Sequence, residues 1–269
     1  MAEAGRGLST EAVLELLQQV AAEVITPRFR ALSDDQVDEK KPGDLVTVAD
    51  REAEELITAA LAEAYPDAVV LGEEAHADDE GLLERFRAAD HAFTVDPVDG
   101  TKNFVHGSPD HAVMVAEVRD GVTERGWIWQ PARQVAWVAE RGAGVRRDGT
   151  PVHREPAGDR PQGATSIWSR RGRDPEGLPT LRGSWICCGV DYPHLIEGDA
   201  DYLLYGHTNP WDHLPGTLMV TEAGGAVAHR DGTPYSARTT SAGLVVAADP
   251  RTLSRAIEAC ADLWPDRRP

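Results

Sequence analysis

Asp96-Pro97-Val98-Asp99-Gly100-Thr101 ends a short apolar run, residues 93–95, in a turn that carries two carboxylates. Proline fixes one backbone dihedral and glycine permits an unusual one, so the chain is predicted to reverse here with Asp96 and Asp99 turned toward a common point. Hard cations such as Mg²⁺ take several oxygen ligands in near-octahedral array, and the Val98 carbonyl between the two aspartates offers another oxygen. On this segment alone, aspartates that hydrogen-bond only their own turn are an equally good reading.

Two further segments repeat the pattern. Residues 68–71 form a second apolar run that leads into Gly72-Glu73-Glu74, which would bring a glutamate to the same sheet edge. Taken alone, this Glu-Glu pair reads as a charged loop. Trp211-Asp212 follows Asn209-Pro210 and opens a helix predicted over residues 211–223. An aspartate at a helix start is ordinarily a cap, and a carboxylate fixed there is also a well-ordered place for a cation.

Between these segments the periodicity outlines the fold. Val13, Leu16, Leu17, Val20, Val24 and Ile25 recur at helical spacing until Pro27 stops or bends the helix. A second helix spans residues 48–64, with Thr47 as its cap, Asp50 in its first turn, Leu56, Ile57 and Leu61 on its apolar face, and Pro66 beyond its end. Residues 111–118, 122–129 and 135–139 read as an antiparallel meander, and Asp148-Gly149 as a further hairpin. The polar stretch 153–163 separates residues 1–152 from residues 164–269. The second half alternates: strands at 165–168, 185–188, 202–205 and 244–247, helices from 192, 211 and 250. The predicted class is α+β, with an antiparallel N-terminal sheet and a mixed C-terminal one.

The chain has 269 residues, with 45 Asp and Glu against 27 Lys and Arg, a formal charge of −18 that disfavours binding to a nucleic-acid backbone. Three cysteines, Cys187, Cys188 and Cys260, provide neither a disulfide framework nor a C-x-x-C pair, which fits a reducing cytoplasm. Cys187 and Cys188 lie in an apolar run and read as core thiols. No segment is apolar enough to span a bilayer, and the N-terminus lacks a signal core, so no membrane association is expected. G-x-S-x-G, G-x-x-x-x-G-K-[ST] and H-E-x-x-H are all absent from the sequence. His213, beside Asp212, reads equally well as a substrate contact and as packing at the helix start.

Four segments in order, Asp44-Leu-Val-Thr-Val-Ala-Asp50, Gly72-Glu73-Glu74, Asp96-Pro-Val-Asp-Gly-Thr-Lys-Asn-Phe104 and Trp211-Asp212 with Glu222-Ala-Gly-Gly225, resemble the signature of the inositol monophosphatase family of Mg²⁺-dependent, lithium-sensitive phosphatases. The resemblance spans nearly the whole chain and implies a layered α-β-α-β-α sandwich. It implies two or three Mg²⁺ ions held by Glu73, Asp96, Asp99, Asp212 and the Val98 carbonyl. Asp50 and Thr101, with Glu73, would activate the attacking water, and Glu74 would support the site. Asp99, Gly100, Thr101 and Asp212 would bind the substrate.

Where inositol-cleaving members often place a carboxylate, seven residues before Asp212, this chain has Tyr205, a further substrate-binding candidate. The implied reaction is hydrolysis of a small polyol or sugar phosphate, most nearly inositol 1-phosphate. Histidinol phosphate, fructose 1,6-bisphosphate and adenosine 3',5'-bisphosphate are alternatives on the same fold. The family is commonly homodimeric, so a homodimer is expected, with Trp127, Trp129 and Trp137 read as core or interface residues. A metal- or metabolite-binding regulator and an acidic interaction protein are the non-enzyme alternatives.

Overall fold

The computed structural model describes residues 7–41, 44–239 and 241–264; the first six residues of the N-terminal segment read above lie outside it. Ser9 accepts the Ala12 N–H at 3.1 Å and caps α1 (Thr10–Val20), whose Val13, Leu17 and Val20 are buried. Ahead of Pro27 the helix widens into a π turn over Ala21–Ile25 and tightens into a 3-10 turn over Thr26–Arg28, as expected where proline cannot donate the next helical bond. β1 (Val37–Lys41) and β2 (Asp44–Thr47) form an antiparallel pair that the periodicity did not reveal. α2 (Val48–Ala64) starts in a capping box, Thr47 with Asp50. Leu56, assigned to its apolar face, is 45% exposed.

β3 (Val69–Gly72), α3 (Glu73–Asp78), α4 (Gly81–Ala88), β4 (His91–Asp99) and α5 (Thr101–Val105) follow. β5 (Ala112–Arg119), β6 (Val122–Gln130), β7 (Val135–Glu140), β8 (Gly144–Arg147) and β9 (Thr150–Val152) complete a seven-stranded sheet whose strand order is the sequence order. Every pair is antiparallel except β3 and β4. That pair is parallel because α3 and α4 carry the chain back across the sheet before β4 begins.

The second half contains β10 (Gly163–Thr165), β11 (Arg182–Gly183), α6 (Cys188–Glu197), β12 (Tyr202–Tyr205), α7 (Pro210–Glu222), β13 (Ala226–His229), β14 (Leu244–Ala247) and α8 (Pro250–Ala259). Its sheet runs β11-β10-β12-β14-β13 and is mixed: β10 is parallel to β11 and β12, whereas β14 is antiparallel to β12 and β13. Two strand expectations fail here. The strand at 165–168 ends at Thr165, and Trp168 sits in a 3-10 turn, 76% exposed. Residues 185–188 are not a strand: Ile186 has φ +59°, which breaks the extended run, and Cys188 begins α6.

The layers match the expected sandwich. α1 and α2 pack on one face of the large sheet through Leu17, Ile57, Phe93, Val115 and Trp127. α6 and α7 fill the space between the sheets, burying Val190, Leu195, Leu218 and Met219 against Met114, Trp137, Leu203 and Val246. α8 covers the far face of the small sheet, with Ala256 and Cys260 against Tyr202 and Val245. Residues of both halves therefore share the apolar layer between the sheets. Trp137 is buried in that layer, whereas Trp127 and Trp129 are buried under α1 and α2, with the Trp127 indole N–H donating to the Thr10 carbonyl at 2.9 Å.

Candidate active site

Residues three apart on a regular strand face opposite sides of the sheet, so Asp96 and Asp99 would diverge on an undistorted β4. The β4–β5 register slips between these two residues, and this irregularity turns both carboxylates to the same side. Gly100 then adopts φ +79°, and a Cβ there would lie 2.9 Å from the Asp110 carbonyl oxygen, so the turn needs glycine. Asp212 reaches the same place from the first turn of α7. It is not the cap of that helix: Asn209 holds the cap position and donates its side-chain N–H to Asp212 Oδ2 at 3.0 Å.

Asp96, Asp99 and Asp212 each present a carboxylate oxygen within 4.8 Å of the others'. Asp96 is 1% exposed, and its Oδ1 has no hydrogen-bond partner. Among the described residues, no Lys or Arg forms an ion pair with any of the three. Burial, then the charges of Glu73, Asp99 and Asp212, holds the Asp96 carboxyl well above the usual carboxylate range. Asp212 is raised in the same way, first by burial and then by Glu73 and Asp99. Asp99 is pushed up to about 6 by burial, although the Cys187 thiol (2.9 Å) and the Gly189 N–H (2.5 Å) both donate to its Oδ2. Three converging carboxylates with an unpartnered buried oxygen and no cationic side chain are a donor set that suits a hard divalent cation.

Asp50 and Thr101 meet beside this cluster. Thr101 Oγ1 lies 3.1 Å from Asp50 Oδ1 and 3.0 Å from the Val98 carbonyl oxygen, with one proton to share between them. Asp50 Oδ2 accepts from the Thr47 N–H (2.9 Å) and hydroxyl (2.5 Å). Burial outweighs these bonds and raises Asp50 to about 7.

Glu73 is not part of the three-carboxylate group. Its Oε1 accepts from Lys40 Nζ at 2.8 Å, and the same ammonium reaches Glu74 Oε1 at 2.8 Å. Tyr205 is in the core, 2% exposed, its ring stacked on Tyr192 at 5.7 Å and tilted against His213 at 4.8 Å. Burial under α6 and α7 leaves it no open face for a substrate, which corrects the expectation placed on it. His213 is a packing residue: its Nε2 faces the His207 carbonyl (3.0 Å) and must donate, so Nδ1 accepts from the Tyr192 hydroxyl (2.9 Å). Burial lowers its pKa to about 3, which keeps the ring neutral.

Glu54 was not anticipated. It lies one turn after Asp50 on the buried side of α2, and its two oxygens accept the Glu74 and Ala75 N–H groups, each at 2.8 Å, anchoring the start of α3. Burial raises it to about 7. A Cβ on Gly72 would fall 2.2 Å from the Glu54 carboxyl carbon, which explains the glycine before Glu73. A carboxylate at helical spacing within the stripe Ala53, Ile57, Leu61 was the available signal. Lys40 and the Cys187–Gly189 contact gave none, because each joins segments far apart in sequence.

The model of the inositol monophosphatase family matches residues 9–264. The chain belongs to the inositol monophosphatase family. Members are phosphoric monoester hydrolases, and the family is metal-dependent. Inositol-1-monophosphatase of Mesorhizobium japonicum is 31% identical over 240 residues, covering 84% of this chain and 88% of that protein. A histidinol-phosphatase of Chlorobaculum parvum is 31% identical over 71% of this chain and 74% of its own length. Among solved structures, the inositol monophosphatase of Thermotoga maritima superposes with a TM-score of 0.78 at 25% identity, covering 93% of this chain and 95% of that one. This chain has the fold of these inositol monophosphatase structures, combining helices with one mixed and one largely antiparallel sheet. Among the described residues, no helix is long and apolar enough to cross a membrane.

Proposed function

We propose that the chain is a Mg²⁺-dependent phosphomonoesterase that hydrolyses a small polyol or sugar phosphate of the inositol 1-phosphate type. The observation that carries this reading is the convergence of Asp96, Asp99 and Asp212 beside the Asp50–Thr101 pair. Asp96, Asp99, Asp212 and the Val98 carbonyl would hold the metal, with Glu73 joining them once it releases Lys40. When bound, Mg²⁺ in two or three copies supplies positive charge for the phosphoryl oxygens and a lowered pKa for water.

Phosphoryl transfer asks a protein mainly for position and charge. The Thr101 hydroxyl orients the attacking water. As the new P–O bond forms, the water proton passes to Thr101 Oγ1 while the Thr101 proton moves to Asp50 Oδ1. A carboxyl near 7 is matched to accepting that proton around neutral pH. The ester P–O bond breaks, and the alcohol departs with a proton from solvent. Gly100 and Thr101 lie on the turn that also carries Asp99, where the phosphate would rest.

Tyr205 in place of a carboxylate, with its phenol buried, takes away one acceptor for ring hydroxyls. The substrate panel therefore includes histidinol phosphate, fructose 1,6-bisphosphate and adenosine 3',5'-bisphosphate beside inositol 1-phosphate. Phosphate release from this panel, with Mg²⁺ and with a chelator, tests the reading. Turnover that requires the metal supports it. Binding without turnover points to a regulator, and turnover unaffected by chelation refutes the metal role.

A further inference from the structure

The turn between β11 and α6 is strained. Ile186 is β-branched and 46% exposed, yet it holds φ +59°, a region that side chains of this kind avoid. Such a conformation persists where its surroundings over-determine it. Ser184 Oγ accepts the Ile186 N–H at 3.2 Å, and Asp191 Oδ1 accepts the Trp185 N–H at 2.7 Å. Asn103, on α5 just after the Asp96–Thr101 turn, places its Nδ2 within 2.9 Å of the Asp110 carbonyl oxygen, 3.0 Å of that of Trp185 and 3.4 Å of that of Ile186. Immediately past the strained residue, the Cys187 thiol and the Gly189 N–H both donate to Asp99 Oδ2. The contacts thus close a ring: Asp99, α5, Asn103, the left-handed turn, the first turn of α6, and Asp99 again.

We propose that Asn103 is a positioning residue which, through the left-handed turn at Ile186, fixes the start of α6 against Asp99. One oxygen of that carboxylate is thereby committed to the protein, and the other is kept for the cation. The proposal rests on the metal reading above. Orienting partners of this kind set metal affinity by holding a ligand in its binding pose before the ion arrives.

The test is calorimetric titration of the full chain with Mg²⁺, for wild type, Asn103→Ala and Ile186→Gly, with thermal unfolding of each protein in chelator. Asn103→Ala is expected to bind Mg²⁺ about tenfold more weakly. Ile186→Gly is expected to bind as wild type does and to unfold at higher temperature, because glycine takes the left-handed conformation without steric cost. Wild-type affinity in Asn103→Ala overturns the proposal whatever its stability, since a merely structural residue would lower only the unfolding temperature. Weakened binding in Ile186→Gly overturns it too, because the side chain and not the turn would then matter. Should Asn103→Ala fail to fold, Ser184→Ala loosens the same turn by removing the acceptor for the Ile186 N–H and the Ser184 bond to Asp191; weaker Mg²⁺ binding supports the proposal and unchanged binding overturns it. Absence of saturable binding in wild type refutes the metal reading itself, an outcome distinct from a failure confined to the variants.

Discussion

Glu117 and Asp96 are both buried carboxylates on neighbouring strands of one sheet, and they titrate in opposite directions. Burial pushes Glu117 up, but a bond and ion pair with Arg125, together with Arg119 at 3.0 Å, outweigh it and hold the carboxyl below its usual range; His91 Nε2 lies at 2.9 Å. Burial pushes Asp96 up as well, and there the neighbouring charges are Glu73, Asp99 and Asp212, all of the same sign, so the shift grows. The Glu117 centre is electrostatically complete with the protein's own cations. Among the described residues, the Asp96 cluster has no such ion-pair partner. Same-sign crowding in a low-dielectric site is what a binding site for a divalent ion costs before the ion arrives.

The largest expected effect that can break this contrast is from Asp96→Asn. Turnover should fall by about a thousandfold or more, because an amide is a poor ligand for a hard cation. The fold should survive, and the metal-free protein should melt higher, since the cost of either ionising or protonating that carboxyl in the crowded site is gone. Steady-state phosphate release and thermal unfolding in chelator check both halves. Glu117→Gln should do the reverse: about 1–3 kcal/mol of stability lost, because the half-buried Arg125 loses its carboxylate partner and keeps only neutral acceptors, with the response to Mg²⁺ unchanged. If chemical denaturation shows equal losses for the two substitutions, the contrast does not hold.

Thr101→Ala sharpens the division of labour beside the cluster. It should lower kcat about a hundredfold while leaving Mg²⁺ affinity near wild type, because the proposed mechanism gives the hydroxyl the water proton and not the ion. Equal losses in kcat and in affinity would reassign Thr101 to metal binding.

Stability against pH follows from the direction of the shifts. Asp50 and Asp99 titrate in the folded protein at about 7 and about 6, above the ordinary 3.8. Groups raised on folding favour the folded state at low pH and lose that contribution as pH rises through the folded values. The metal-free protein should therefore melt lower as pH rises from about 4 to about 7, and saturating Mg²⁺ should flatten the slope by neutralising the ionised forms. Calorimetric scans with and without the ion measure this. A smaller effect is expected for Lys40→Gln, which frees Glu73 and Glu74 from their shared ammonium. Mg²⁺ affinity should rise a few-fold, roughly what losing a partly exposed competing cation is worth; weaker binding would mean that Lys40 supports the site.

Most of this candidate site was legible because its carboxylates lie where short-range rules apply. Asp96 and Asp99 end an apolar strand at a Pro and Gly turn, Asp50 sits in a capping box, and Asp212 opens a helix behind Pro210. Helical and alternating periods made the α+β class legible, with its antiparallel and mixed sheets, whereas the layered sandwich was implied by the family resemblance. What escaped depends on contacts between distant segments. Lys40 meets Glu73 across 33 positions, Gly189 meets Asp99 across 90, and no local pattern encodes either. The false strand at 185–188 failed for a related reason: its apolar letters suit a strand, but Asn103 and Ser184 hold Ile186 left-handed, and tertiary bonds override propensity. Tyr205 was misplaced because its position relative to Asp212 gave no information about the helices packed over it.

The central claim is that Asp96, Asp99 and Asp212 act together as the seat of a divalent cation, and calorimetric titration of metal-free wild type and Asp96→Asn with Mg²⁺ tests it most directly. The account predicts saturable binding to wild type, with protons released to the buffer as the raised carboxyls ionise, and loss of that binding in the variant. Undiminished binding in Asp96→Asn would contradict it.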